Sequence, residues 1–205
     1  MTLNDIITIA KHSELHQLSI KKDDAAITSF INLGLIELYS MFALKTEEVI
    51  IELEDNVTIY DLPDNFMYMT GAYEELPKRS DEYAAPLPIN EEENPFSVNT
   101  INYSQVQIPL TVKGGYISII YVPKPVKLTS DDLTQELPVP DQFITPLLNF
   151  VAYKSHSSVQ NEGQSESNVY YRRFLESVER VKSLGVGITA DDLSMAARLR
   201  SRGFI

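Results

Sequence analysis

Tyr121-Val122-Pro123-Lys124-Pro125 closes a strand-like run, and the residues beyond it decide the fold. An acidic stretch, Ser130-Asp131-Asp132, leads to Leu137-Pro138-Val139-Pro140-Asp141-Gln142-Phe143. Two helical patterns come next, the second opening on Tyr170-Tyr171-Arg172-Arg173-Phe174 and running to Lys182. In the first, Phe143, Leu147, Leu148, Val151 and Ala152 recur at helical spacing and share a face. Proline is tolerated only in a first helical turn, so Pro146 sets the start of this helix close to itself, with Asp141 or Thr145 as cap. In the second, Tyr170, Phe174, Val178 and Val181 form the stripe, Ser165 or Ser167 supplies a cap, and Gly185 ends the helix. Residues 156–167 read as a polar turn between the two. The pattern is a helical hairpin hung on a β domain, a build suited to packing against neighbours. It points to an assembly part and away from an enzyme.

Upstream, Leu3, Ile6, Ile7 and Ala10 mark a short amphipathic helix. Lys22-Asp23-Asp24 offers an N-cap with acids where the helix dipole favours them. A long helix follows, on which Ala26, Ile27, Phe30, Ile31, Leu33, Gly34, Leu38 and Phe42 share a stripe ending near Ala43. Gly34 in that stripe predicts close approach of another backbone, because a helical glycine is otherwise costly. The period then changes. Residues 47–53 and 57–60 read as strands joined by the turn Glu54-Asp55-Asn56, with a further strand from Phe66 to Tyr73. Residues 77–104 are rich in proline, asparagine and acids and read as an extended excursion with one or two short strands. Residues 105–112 and 116–121 flank Lys113-Gly114-Gly115, a hairpin signal that would put Pro109 on a sheet edge.

The 205 residues, 43% of them hydrophobic, suffice for one good core or two small units sharing one. There is no cysteine, which excludes disulfides and thiolate metal sites. No apolar run approaches the roughly 18 residues that suggest a membrane span, and the first residues lack the basic flank and apolar core of a signal peptide. A soluble protein made in a cytoplasm is expected, with no membrane partner. The net charge of −12 is uneven. Residues 1–146 carry 9 Lys+Arg against 23 Asp+Glu, and residues 147–205 carry 8 against 6. The last stretch holds Arg198, Arg200 and Arg202 without an acid after Asp192. An acidic body repels phosphate, which argues against a nucleic-acid-binding module. The basic end suits an acidic protein surface.

Candidate chemistry is sparse. His12-Ser13-Glu14-Leu15-His16 lacks the glutamate directly after the first histidine that a zinc-protease helix needs. Lys113-Gly114-Gly115 lacks the spacing and following helix of a phosphate loop. The acidic pairs and runs, Asp23/Asp24, Glu74/Glu75, Glu91–Glu93 and Asp131/Asp132, sit in polar stretches, whereas a general acid needs a desolvated carboxyl. Tyr170 and Phe174 at i, i+4 face inward, which leaves Arg172 and Arg173 outside for a neighbour's acids. No metal or cofactor is expected.

The order of parts carries a resemblance. A short helix is followed by the capped helix containing Phe30-Ile31-Asn32-Leu33-Gly34-Leu35-Ile36-Glu37-Leu38. A β region with Tyr60-Asp61-Leu62-Pro63 leads to Ile117-Ser118-Ile119-Ile120-Tyr121-Val122-Pro123-Lys124-Pro125. Then come Leu137–Phe143, a helix with Ala152-Tyr153, and Tyr170-Tyr171-Arg172-Arg173-Phe174. This resembles the head-to-tail adaptor (connector) proteins of tailed bacteriophages, those of short-tailed phages in particular. The resemblance covers most of the chain in layout and is specific mainly in Tyr121–Lys182.

It implies a virion structural protein at the portal vertex, forming a ring of typically twelve copies between the portal and the tail nozzle or tail tube. Genomic DNA would pass through without specific binding. It also implies that a C-terminal extension docks the portal, here residues 185–205 with Arg198, Arg200, Arg202 and Phe204. The expected class is α+β: a helical bundle from N- and C-terminal helices, an inserted antiparallel β domain and an extended C-terminal tail. The expected parts are residues 1–45, 46–126, 127–184 and 185–205. Tyr170, Phe174 and Val178 would pack the hairpin, and Arg172 and Arg173 would meet the next subunit. Two competing readings are a virion-borne glycan hydrolase using Glu74, Glu75 or Glu91–Glu93, and an intracellular protein-binding module using residues 141–184 as a docking face.

Overall fold

Thr2 opens the first helix by a reciprocal cap. Its hydroxyl accepts from the Asp5 amide at 3.3 Å, and the Asp5 carboxylate accepts from the Thr2 amide at 2.9 Å. The computed structural model describes residues 1–75, 85–112, 115–158 and 163–185. Helix α1 spans Leu3–His12 and buries Leu3, Ile6, Ile7 and Ala10, the four positions its spacing predicts. Helix α2 spans Asp24–Met41, with the Asp23 carboxylate accepting from the Ala26 amide at 2.9 Å. It ends two residues before Ala43. Ile27, Ile31, Leu35 and Leu38 face the core, and Phe42 follows. Leu33, expected in this stripe, is 47% exposed. It lies two residues past Ile31, about 200° round a helix of 3.6 residues per turn, so Leu35 takes the inward place.

The chain is α+β and divides into two compact units. One comprises Met1–Phe42 and the described part of Pro125–Gly187; the other is built on Ala43–Lys124, inserted between them in sequence. In the helical unit, a 3₁₀ turn at Asp141–Phe143 runs straight into α3, Ile144–Ser157. Phe143 is already near helical geometry at φ −90°, ψ −3°, so neither Asp141 nor Thr145 caps α3 as expected. Pro146 is its third residue, where a missing amide hydrogen costs nothing. Helix α4 spans Gly163–Ser183 and starts earlier than its sequence suggests. Ser165 and Ser167 therefore lie inside the helix, Ser167 buried, and neither is a cap. Gly185 stands at φ +63° and its amide donates to the Lys182 carbonyl at 3.0 Å, the left-handed stop that glycine adopts without strain.

Gly34 lets α2 and α3 approach. The neighbours are side chains, not the backbone that its place in the stripe predicts. A methyl group at Gly34 would lie 2.6 Å from Leu147 Cδ1 and 3.1 Å from Phe150 Cδ1. Phe42 meets Phe143 edge-on at 4.9 Å.

The acidic stretch before α3 is part of this unit's framework. The Leu3 and Asn4 amides donate to the carbonyls of Gln135 and Leu133 at 2.8 and 3.0 Å, and the Leu137 amide donates to the Met1 carbonyl at 3.0 Å. Asn32 of α2 donates to the Leu128 carbonyl at 2.8 Å and accepts from its amide at 2.9 Å. The Tyr39 hydroxyl donates to the Pro138 carbonyl at 2.7 Å. An extended segment against a core must find partners for its backbone groups, and here helix side chains and the N-terminus provide them.

The inserted unit holds two antiparallel sheets. Strands β1 Glu47–Glu52, β7 Tyr116–Pro123, β3 Phe66–Glu75 and β4 Ala85–Leu87 are adjacent in that order. Strands β2 Ile59–Asp61, β6 Gln105–Gln107 and β5 Asn99–Asn102 form the second sheet. Their shared core includes Ile51, Phe66, Met69, Val98, Val106, Ile117 and Ile119. Neither of the two turn signals joins strands that pair with each other, so the hairpin expected at Lys113-Gly114-Gly115 does not form. The turn at Glu54–Val57 exists, with Asn56 at φ 64°, yet β1 pairs with β7 and β2 with β6. Likewise β6 and β7, on either side of Lys113-Gly114-Gly115, belong to different sheets. Pro109 lies beyond the end of β6 rather than on a sheet edge.

Glu47 anchors the first strand. Its carboxylate accepts from Lys45 Nζ at 2.5 Å, from Asn65 Nδ2 at 2.8 Å and from the Tyr121 hydroxyl at 3.0 Å. These bonds, Lys45's first, pull its carboxyl from the usual 4.5 down to about 2. A depressed carboxyl favours the fold above its unfolded value, and that contribution is lost as pH falls toward the folded value. Unfolding midpoints in urea should therefore drop between pH 4.5 and 2, and Glu47→Gln should flatten that part of the profile. An unchanged profile would remove this role from Glu47.

Candidate interaction face of the helical hairpin

Aromatic rings join α3 to α4 from the core outward. Phe174 is fully buried, with Phe150 edge-on at 5.3 Å. Phe150 contacts Tyr153 at 5.9 Å, and Tyr153 contacts Tyr171 at 5.0 Å. Tyr171 reaches the surface at 43% exposure, with Leu175, one turn on, at 40%. Lys154 Nζ stands 5.0 Å from the Tyr153 ring centre, at cation–π range. Val178 and Val181 are buried along the same side of α4 as Phe174. Such pairs arise because residues three and four apart stack on one helix face.

The polar side of the hairpin gathers around His156. Its side chain is 6% exposed, its Nδ1 lies 2.9 Å from Glu166 Oε2, and its Nε2 lies 3.4 Å from the Glu14 carbonyl. The imidazole stacks on the Tyr170 ring at 4.8 Å, and the Arg173 guanidinium lies 5.2 Å from the centre of that same tyrosine ring. Burial, reinforced by the Glu14 carboxylate, pushes the half-buried Tyr170 hydroxyl up to about 12. A histidine held by a carboxylate is half of an acid–base device. Here the second nitrogen faces a backbone carbonyl instead of a nucleophile, so the cluster ties the segment after α1 to both hairpin helices.

By sequence alone, His156 falls in a polar turn. The signal that finds it is the run Leu148, Ala152, His156 at i, i+4, which continues the inward face of α3. Beside it, Ser155 is fully buried and its hydroxyl has no hydrogen-bond partner. A buried unpaired hydroxyl costs about 1–3 kcal/mol, so Ser155→Ala should raise stability in a urea titration.

The other expected residues are scattered. Arg172 and Arg173 are exposed on α4, and neither forms an ion pair among the described residues. Asn149 Nδ2 donates to the Arg173 carbonyl at 3.4 Å. Arg198, Arg200, Arg202 and Phe204, with the whole extended C-terminal tail beyond Gly185, lie outside the described residues. Glu91, Glu92 and Glu93 stand exposed on a loop, where Glu91 accepts from Asn94 Nδ2 at 2.9 Å. Exposed carboxylates retain their solvation and make poor general acids. Glu74 lies on β3, apart from them in the chain, and the side chain of Glu75 is not among those described. His12 ends α1, and His16 lies beyond it with Nδ1 2.7 Å from the Ser13 carbonyl, so the two do not share a helix face. Among the described residues no group of three potential metal ligands gathers, and no helix is long and apolar enough to cross a membrane.

The hairpin thus carries a buried aromatic ladder that surfaces at Tyr171, flanked by arginines that form no ion pair among the described residues. The class comes from a family match and is that of virion structural adaptors. Residues 1–202 match the model of the SU10 adaptor protein family, and the chain belongs to that family of bacteriophage adaptors. No curated protein matches it.

Proposed function

We propose that this adaptor is the head-to-tail connector of a short-tailed phage, a ring of about twelve copies seated under the portal, a stoichiometry taken from the resemblance and compatible with heterologous ring closure. Its lower contact is the tail nozzle or tail tube. The observation that carries the reading is the match of residues 1–202 to an adaptor family. Ring closure by heterologous contacts needs two different faces on each subunit. On α4 the exposed Arg172 and Arg173, free of ion pairs among the described residues, supply one, directed at acids of the next subunit. The acidic residues that dominate positions 1–146 suit a conduit that repels phosphate and lets DNA slide.

Arg198, Arg200, Arg202 and Phe204 form the portal-docking end. Removing residues 186–205 should leave the circular dichroism spectrum and urea midpoint of the protein unchanged and abolish its capture by portal rings. Negative-stain images of the full chain mixed with portal should show added density at one end. A full-length protein that never associates with portal, by capture or by imaging, would refute the proposal.

A further inference from the structure

Strand β1 ends its sheet: β7 lies on one side of it, and among the described residues no strand lies on the other. Its six residues make it the longest strand at an edge of either sheet, and its register on β7 runs without a bulge. Proteins usually shorten, kink or cover such an edge, because its unpaired amides and carbonyls are a template for another strand. The Leu53 amide donates to the Gly115 carbonyl at 2.9 Å. Alternation along an antiparallel ladder then turns the backbone groups of Val49 and Ile51 toward β7, and those of Glu48, Ile50 and Glu52 away from it. The side chains of these last three lie on the exposed face, Ile50 at 60% exposure. On the other face Val49 and Leu53 are only partly buried at the margin of the core, so the sheet is unfinished along this side. The charge of the edge has one sign. Glu48 accepts from the Ser118 hydroxyl and Glu52 from the Tyr116 hydroxyl at 3.4 Å, and neither forms an ion pair among the described residues. Lys45, the nearest cation in the chain, is held by Glu47.

We propose that the β1 edge takes up an extended segment of a partner protein as an added antiparallel strand, one with lysine or arginine at two positions four apart and apolar residues at the three between. The strand's own alternation fixes that pattern. Basic residues stand opposite Glu48 and Glu52, an apolar one opposite Ile50, and the other two cover Val49 and Ile51 on the core side. Main-chain bonds to Glu48, Ile50 and Glu52 supply affinity, and the two carboxylates select the sequence. A second copy of β1 is a poor occupant. Pairing two such edges about Ile50 sets Glu48 against Glu52 twice, and like charges directly opposed are destabilising. Nor does this chain hold a matching stretch: its only basic residues four apart are Arg198 and Arg202, with Arg200 and Ser201 between them. The occupant therefore comes from a different protein, and its contact is separate from the ring and portal contacts proposed for α4 and the C-terminal arginines.

The test is fluorescence anisotropy of a labelled Lys-Val-Val-Val-Lys peptide capped by threonines, titrated with the full-length protein at low salt and without portal. Binding should saturate. Glu48→Lys combined with Glu52→Lys should weaken it roughly tenfold or more, and a peptide with glutamates in place of the lysines should bind that variant instead. Glu92→Lys combined with Glu93→Lys makes the same change of net charge on an exposed loop and should leave binding as it was. N-methylation of the central valine removes the amide that faces Ile50 and should abolish binding. The same group on either flanking valine, whose amide faces away, should not. These peptide arms leave the protein native, so they decide the matter even if the Glu48 and Glu52 variant loses stability with its Ser118 bond. Absence of saturable binding, binding indifferent to the central N-methyl group, or an equal loss in the loop variant would each overturn the proposal. Binding that emerges only after removal of residues 186–205 would overturn it too, by assigning the edge to the chain's own end.

Discussion

Replacing Phe174 with alanine should destabilise the helical unit by about 3–5 kcal/mol, the range for a phenylalanine deleted from a closed core. Phe174 is 0% exposed. It stands 5.3 Å from Phe150 and 6.3 Å from Tyr171, between the buried ring and the surface ring. Its loss removes apolar contact and an edge-to-face pair at once, and leaves a void that Phe150 cannot fill. Phe150 is itself held against Gly34, where an added methyl would sit 3.1 Å from its Cδ1. Collapse into the void would open that contact instead. Urea denaturation followed by helical circular dichroism gives the cost directly. A loss under about 1 kcal/mol, far below the range for a closed core, would mean that α4 is not fixed by this ring. Exposed Tyr171→Ala should cost far less, since a half-exposed ring surrenders only part of its area.

How much could be read in the sequence depended on how far apart the partners lie. The core face of α1 and the Asp23 cap of α2 are decided within a few residues, and the structure has them where the periodicity puts them. The Gly185 stop is equally local. Strand partners are not. Glu47 pairs with Tyr121 and Glu52 with Tyr116, across more than half the inserted unit, and no local pattern in Glu47–Leu53 names β7 as its neighbour. The turn residues Glu54-Asp55-Asn56 do make a turn, yet the strand after it joins a different sheet. A turn signal fixes a change of direction and not a partner. The acidic stretch Ser130-Asp131-Asp132 reads only as a linker because the residues after it are held through backbone amides and carbonyls, which leave no mark in side-chain periodicity. At the hairpin, the inward stripe of α4 was visible, whereas the His156 cluster arises only when α3 and α4 are brought together.

Gly34 offers the second large effect, in the opposite sense of volume. Gly34→Val should destabilise the protein by about 3 kcal/mol, the upper part of the range for overpacking a closed core. Two terms oppose each other. Glycine in a helix interior costs about 1 kcal/mol against alanine, so any side chain regains part of that. The first added carbon, however, would stand 2.6 Å from Leu147 Cδ1 and 3.1 Å from Phe150 Cδ1. Leu147 is 0% exposed and Phe150 is 6% exposed, so neither has open space to enter. Valine adds two further carbons at a branched centre whose rotamer the helix already restricts. The steric term therefore exceeds the propensity gain, and α2 and α3 must separate. Gly34→Ala should fall between the two, with Leu147→Ala as a compensating partner. The double variant should recover much of the loss, because the removed leucine carbons are those the new methyl would strike. A double-mutant cycle measured by urea denaturation reads this as a coupling energy. Additive costs would show that α2 and α3 do not meet at Gly34, and the packing that sets the hairpin's orientation in its own unit would need a different origin.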